Sequence, residues 1–173
     1  MAPPDPDTLL KWIKPEPPTQ KELECLKLLK PGDYEIYNER LNNYLLEARE
    51  IFIRMGITSM LRSGDLVVGI YTPAGDMATA SMGTYLHSVS AVLCLKYIVN
   101  TWKDNPTVGI KDGDCFYAND AFYGAIHNQD QVAIMPVFND GELIAWTAAA
   151  VHQSETGAVD PGSFVPAAKS KCE

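Results

Sequence analysis

The stretch 114-DCFYANDAFYGAIHNQDQVAIMPVFNDGELIAWTAAAVH-152 decides the fold class. Short β-type runs rich in branched and aromatic residues fall at about Asp114 to Tyr117, Val132 to Phe138 and Leu143 to His152, and Asn139-Asp140-Gly141 supplies a hairpin turn between the last two. The polar, glycine-containing segment around His127 and Asp130 leads into the strand beginning near Gln131. Because the hairpin makes its strands antiparallel neighbours, the end of one returns beside the start of the other, which brings His152 towards His127 and Asp130.

Upstream the pattern alternates between helix and hairpin. From Tyr34 to about Met55, residues Ile36, Tyr37, Leu41, Tyr44, Leu45, Ala48, Ile51, Phe52 and Met55 recur at three-four spacing, which predicts an amphipathic helix packed on a core. A shorter helix is expected over about Gln20 to Leu29, stopped at Pro31 and Gly32, with Asp33 as N-cap of the next. The run Leu66 to Thr72, the turn Pro73-Ala74-Gly75-Asp76 and a second short run read as another β-hairpin. Tyr85 to Lys103 is apolar on most faces and predicts a largely buried central helix ending before Asn105-Pro106. The expected class is α+β, with helices packed on antiparallel hairpins.

Six of the twelve prolines fall between Pro3 and Pro18, so residues 1–19 are expected to form an extended arm without a helix, its cluster Leu9, Leu10, Trp12 and Ile13 lying along another surface such as a partner subunit. Residues 20–164 form the expected α+β domain and 165–173 a tail. At 173 residues, with 46% hydrophobic and 21% charged side chains, the chain has the balance of one globular domain rather than a disordered segment. A net charge of −8 without a dense basic cluster argues against a nucleic-acid partner. No run reaches the roughly 18 to 20 apolar residues of a membrane span. Cys25, Cys94, Cys115 and Cys172 lie far apart without a C-x-x-C pair, and no secretory leader opens the chain, which together point to the reducing cytoplasm.

The chemistry-bearing candidates are few. Two imidazoles and a carboxylate, from His127, Asp130 and His152, give three ligands and leave coordination positions open, as in a catalytic divalent site for Mn, Fe or Zn. The same residues also fit a plainer description, hydrogen-bonding histidines at strand ends with Asp130 capping a turn. His87, at the entry to the apolar helix, reads first as a polar residue in a helix's first turn, which needs no ligand to explain it. Asn119 and Asp120 suit a turn, with Asp120 available to support a site. Gly157 and Gly162 suit a turn or a backbone anion contact. No G-x-x-x-x-G-K-[ST], strand-following G-x-G-x-x-G or G-x-S-x-G occurs, so any ATP chemistry must lie elsewhere.

Five blocks in fixed order, YNERLNNYLLEARE, YTPAGDMATAS with LHSVSA, GDCFYANDAFYGAIHNQDQ, PVFNDGELIAW and VHQSETGAVDPGSF, resemble the N-terminal part of the hydantoinase B family, and more closely its ketone carboxylase branch of the acetone and acetophenone type. The resemblance runs from about Tyr34 to Phe164. It implies that His127, Asp130 and His152 bind a divalent metal (Mn, Zn or Fe), that His87 contacts the metal or the substrate, and that ATP is bound by a hydantoinase A-like partner subunit of a hetero-oligomer. The implied function is a subunit of an ATP-dependent, biotin-independent ketone carboxylase, a ligase acting on a small ketone and bicarbonate. The alternatives are a cyclic amide hydrolase of the hydantoinase or oxoprolinase type and a non-catalytic scaffolding subunit. The hydantoinase and oxoprolinase branches usually carry two adjacent histidines where this chain has His152-Gln153, which argues against a cyclic amide substrate. Glu155 departs from the Asp common before the Thr-Gly. Family members run to several hundred residues, so the chain resembles an N-terminal fragment or a shortened subunit.

Overall fold

The computed structural model describes residues 3–154. Glu155, Gly157, Gly162, Cys172 and the tail 165–173 lie outside the described residues. The elements run α1 (Pro6–Trp12), α2 (Gln20–Leu28), α3 (Asp33–Met55), α4 (Ser59–Ser63), β1 (Leu66–Tyr71), β2 (Met77–Ala80), α5 (Tyr85–Trp102), β3 (Phe116–Ala118), a 3-10 turn (Ala121–Tyr123), β4 (Asp130–Asn139) and β5 (Glu142–His152). The strands form one antiparallel sheet in the order β2-β1-β5-β4-β3. The α+β class therefore holds.

The sheet forms because both hairpins are specified locally and then joined by a long-range pairing. Asp140 and Gly141 both have positive φ, 49° and 79°, the conformation a two-residue turn needs to match strand twist. β1 and β5 pair along their length from Leu66 opposite Val151 to Tyr71 opposite Trp146. This pairing makes β1 an interior strand, and Leu66, Val67 and Val68 are buried although they point to alternating faces.

α5 covers one face. Ala91, Cys94, Leu95 and Ile98 pack on Val67, Tyr71, Val132, Ile134, Trp146, Ala148 and Ala150. Gly69 lies in this layer because a Cβ there would stand 2.8 Å from the Tyr71 hydroxyl oxygen. Trp146 is fully buried, stacks edge-on against Phe116 and donates its indole N–H to the Pro73 carbonyl at 3.2 Å. The expected central helix is confirmed, with one buried charge: Lys96 is 2% exposed and forms an ion pair with Asp76 at 2.7 Å. On the other face a small cluster of Leu61, Leu66 and Val151 packs with Phe52 and Ile53 of α3.

Three expectations are corrected. The proline-rich segment does hold a helix, α1: Asp5 caps it by accepting the Thr8 N–H at 3.0 Å, and Pro6 occupies its first turn. Proline is excluded from a helix interior but suited to its first position, where the missing N–H has no partner anyway. The surface it lies along belongs to this chain, since Trp12 meets Tyr97 of α5 at 6.4 Å between ring centroids, and Glu16 donates its backbone N–H to Asp76. α3 begins as expected in place, but Gly32 is its N-cap, while the Asp33 side chain accepts from the Lys30 N–H. Third, most of the α3 apolar face is not covered. Leu45 alone is buried on this helix, and Tyr34, Ile36, Tyr37, Tyr44, Ile51 and Met55 are exposed. α4 and the 3-10 turn are too short for periodicity to register.

Trp146→Ala removes the largest buried side chain of the main core and is expected to cost about 3–5 kcal/mol of unfolding free energy in urea titration.

Candidate metal centre

Four segments meet at the end of the sheet where β4 starts and β5 stops. Asp130 is the first residue of β4 and sits directly opposite His152 in the ladder. Backbone hydrogen bonds fix the junction: His152 N–H to the Asp65 carbonyl at 3.1 Å, Gln153 N–H to that of Gln129 at 2.9 Å, and Asp130 N–H to that of His127 at 2.9 Å. The last bond closes a tight turn that holds His127 and Asp130 on one side. Upstream, Gly124 brings the segment against α5, where a Cβ would stand 2.7 Å from the Cys94 backbone nitrogen, and its φ of +115° is disfavoured for other residues.

The carboxylate of Asp130 is the hub and is 1% exposed. Its Oδ1 is 3.0 Å from His152 Nδ1, its Oδ2 is 3.4 Å from His127 Nε2, and His87 Nδ1 lies 4.0 Å from Oδ1. The His127 and His152 rings are 4.8 Å apart between centroids. His127 Nδ1 is 3.0 Å from Gln129 Oε1. A carbonyl oxygen only accepts, so Nδ1 carries the proton and Nε2 turns its lone pair to the centre. One ligand atom from each of His127, Asp130 and His152 falls within 4.8 Å of the others.

These residues fit a divalent ion on the chemistry of the donor set. Two imidazoles with one carboxylate suit Mn, Fe or Zn. The buried Nδ1 of His87, which has no hydrogen-bond partner, points to the same conclusion.

His87 is not a solvated helix-start residue, for it is 2% exposed and its Nε2 is 3.0 Å from Asp65 Oδ1. Asp65 also accepts the Thr84 hydroxyl at 2.6 Å. Burial raises the Asp65 pKa, but the hydrogen bonds from Thr84 and His87 outweigh it and hold the carboxyl below its ordinary value. Asp65 and the buried Gln129 were not legible as site residues. Asp65 directly precedes β1, and only the β1–β5 pairing places that end beside His152. Asp120 stands apart from the hub in the role of a turn residue: its Oδ1 accepts the Phe122 N–H at 3.0 Å, and Asn119 donates to the Asn128 carbonyl. Cys94 offers no nucleophile, because burial pushes its thiol up to about 12.

An antiparallel α+β scaffold thus holds a buried carboxylate between two histidines at one sheet end, a group able to hold a metal ion. The Hydantoinase B/oxoprolinase family model matches residues 30–173, and the chain belongs to that family. It is 43% identical over 173 residues to the acetophenone carboxylase delta subunit of Aromatoleum aromaticum, covering all of this chain and 25% of that protein. It is 35% identical over 134 residues to the acetone carboxylase alpha subunit of Xanthobacter autotrophicus, covering 75% of this chain and 17% of that protein. A nucleotide-free acetone carboxylase structure superposes with a TM-score of 0.73 at 34% identity, over 80% of this chain and 18% of that one. The chain thus spans a quarter or less of the length of these relatives. Among the described residues, no helix is long and apolar enough to cross a membrane.

Gly124→Ala is expected to strain the turn and push it off α5, lowering stability by about 1–3 kcal/mol and broadening the NMR signals of His127. Thermal unfolding and a histidine-labelled spectrum check this.

Proposed function

We propose that the chain carries the metal-binding part of a subunit of an ATP-dependent, biotin-independent ketone carboxylase, at which a ketone enolate is carboxylated with bicarbonate-derived CO2. The convergence of His127, Asp130 and His152 on one buried point carries this reading, and the likeness to carboxylase subunits supports it. His127 would bind through Nε2, Asp130 through its carboxylate and His152 through an imidazole nitrogen. A divalent ion there supplies Lewis-acid stabilisation of negative charge on the ketone or enolate oxygen as the α-carbon becomes a nucleophile.

The chain's own residues prepare that chemistry. Gln129 takes the His127 Nδ1 proton in a hydrogen bond and so orients the ring. Asp130 is shielded from water and faced by the His87, His127 and His152 imidazoles, so its carboxylate is directed at the centre rather than at solvent. Phosphorylation falls to an ATP-binding, hydantoinase A-like subunit of a cytoplasmic hetero-oligomer, in keeping with a sequence without nucleotide-binding loops. Gln153, in place of a second adjacent histidine, favours a ketone over a cyclic amide.

His127→Ala in the assembled complex is expected to remove the metal at this chain's stoichiometry and to lower bicarbonate-dependent ketone consumption by at least about 100-fold. Elemental analysis and a ketone-depletion assay read both, and wild-type values for the two would defeat the assignment. Ring opening of cyclic amides without bicarbonate would replace it with a hydrolase.

A further inference from the structure

α3 carries two apolar lines. Leu45, Phe52 and Ile53 pack inward, the last two on the small cluster behind the sheet. Tyr37, Leu41, Tyr44, Ala48, Ile51 and Met55 are exposed and recur at spacings of 4, 3, 4, 3 and 4. Such a strict seven-residue repeat is the seam by which one helix lies along another. The seam also overlooks a second open surface. Asn42 meets Thr79 of β2 at 3.4 Å and Arg49 donates to the Met82 carbonyl at 2.9 Å, so that flank of α3 lies over the β2 edge. At about 100° of turn per residue, Leu45 and Phe52 come next round the helix and the seam follows them, facing away from β2 and over β5. Residues paired across strands share a face, so the α3 side carries Thr79, Ile70, Thr147 and Met135 on successive strands. Ala149, Ala133 and Tyr117 continue it. This floor is uncharged, and Tyr117 and Met135 are 63% and 44% exposed. The three strands β5, β4 and β3 span about 14 Å, room for a single helix.

We propose that the α3 seam and the floor of β5, β4 and β3 seat one amphipathic helix, and that it belongs to the polypeptide making up the rest of a hydantoinase B-type subunit. This chain matches 25% of the acetophenone carboxylase delta subunit and 17% of the acetone carboxylase alpha subunit, so most of each relative's polypeptide lies outside the matched part. A helix enclosed on two sides by apolar groups completes a layer of one core. The occupant is apolar on two adjoining sides, acidic where it passes Arg40 and Arg54 and basic where it passes Glu47. Those three exposed residues recur every seven along the outer edge of the seam, at the flanking positions whose charges choose a partner helix. A second copy of this chain does not fit: with its α3 antiparallel, its sheet would fall on this one, and with its α3 parallel, it would lay Arg40, Glu47 and Arg54 on the uncharged floor. The inference is independent of the metal centre.

The experiment places photoreactive p-benzoylphenylalanine at Tyr44, at Met135 or, on the far flank of α3, at Glu50, in the full chain within its assembled complex. Irradiation and mass spectrometry are expected to join the Tyr44 and Met135 positions to one helical segment of a hydantoinase B-type polypeptide, with the Glu50 position at background. Tyr44→Glu alters an exposed site, so the chain should keep its far-UV circular dichroism, while the crosslink from Met135 should fall about 10-fold. Crosslinks to a second copy of this chain, to the ATP-binding subunit or to unrelated proteins would overturn the proposal. So would no crosslink at all, or a Met135 crosslink undiminished by Tyr44→Glu. If that variant fails to fold, the crosslinks of the two single positions decide alone.

Discussion

The position of Asp130 opposite His152 depends on a single irregularity in the β4–β5 ladder. Across the turn Asn139 pairs with Glu142 and Phe138 with Leu143, but Val137 pairs with Ala145, so Ile144 is left over as a bulge. Every pair beyond the bulge is displaced by one residue. Continued without it, the register would set Asp130 against Val151 and turn His152 away, because neighbouring strand residues face opposite sides. The bulge thus aligns the metal-type residues and the apolar layer of Trp146, Ala148 and Ala150 in one step.

The energetic burden of the centre falls on the elements around it. A carboxylate that is 1% exposed is costly without compensation, and the surrounding imidazoles can offset it only weakly while neutral. The fold tolerates this because the junction is pinned on both sides of Asp130 by backbone hydrogen bonds and because β1 is buried almost throughout and the inner face of α5 packs on the sheet. Rigidity near the hub is what lets donors be held at set distances instead of relaxing apart.

Away from the centre the chain is less self-contained. The N-terminal segment is fastened to α5 through Trp12 and through the Asp76–Lys96 pair, whose cation also lies 3.7 Å from Glu16. α3, by contrast, contributes Leu45, Phe52 and Ile53 to packing and leaves much of its apolar stripe exposed. Three-four periodicity reports which side of a helix is apolar; it does not report what covers that side.

The sequence by itself determined the two hairpins, the central helix and the convergence of His127, Asp130 and His152, because turn residues, period-two runs and apolar periodicity are local signals that survive without neighbours. Proline content misjudged α1, because what matters is where a proline falls in the helix, not how many there are. Tertiary structure alone decided the rest: the bulge at Ile144, the pairing of β1 with β5, and through it the arrival of Asp65 and His87 beside the hub. Contacts between segments so distant in the chain are set by packing and register, and no local pattern of side chains encodes them.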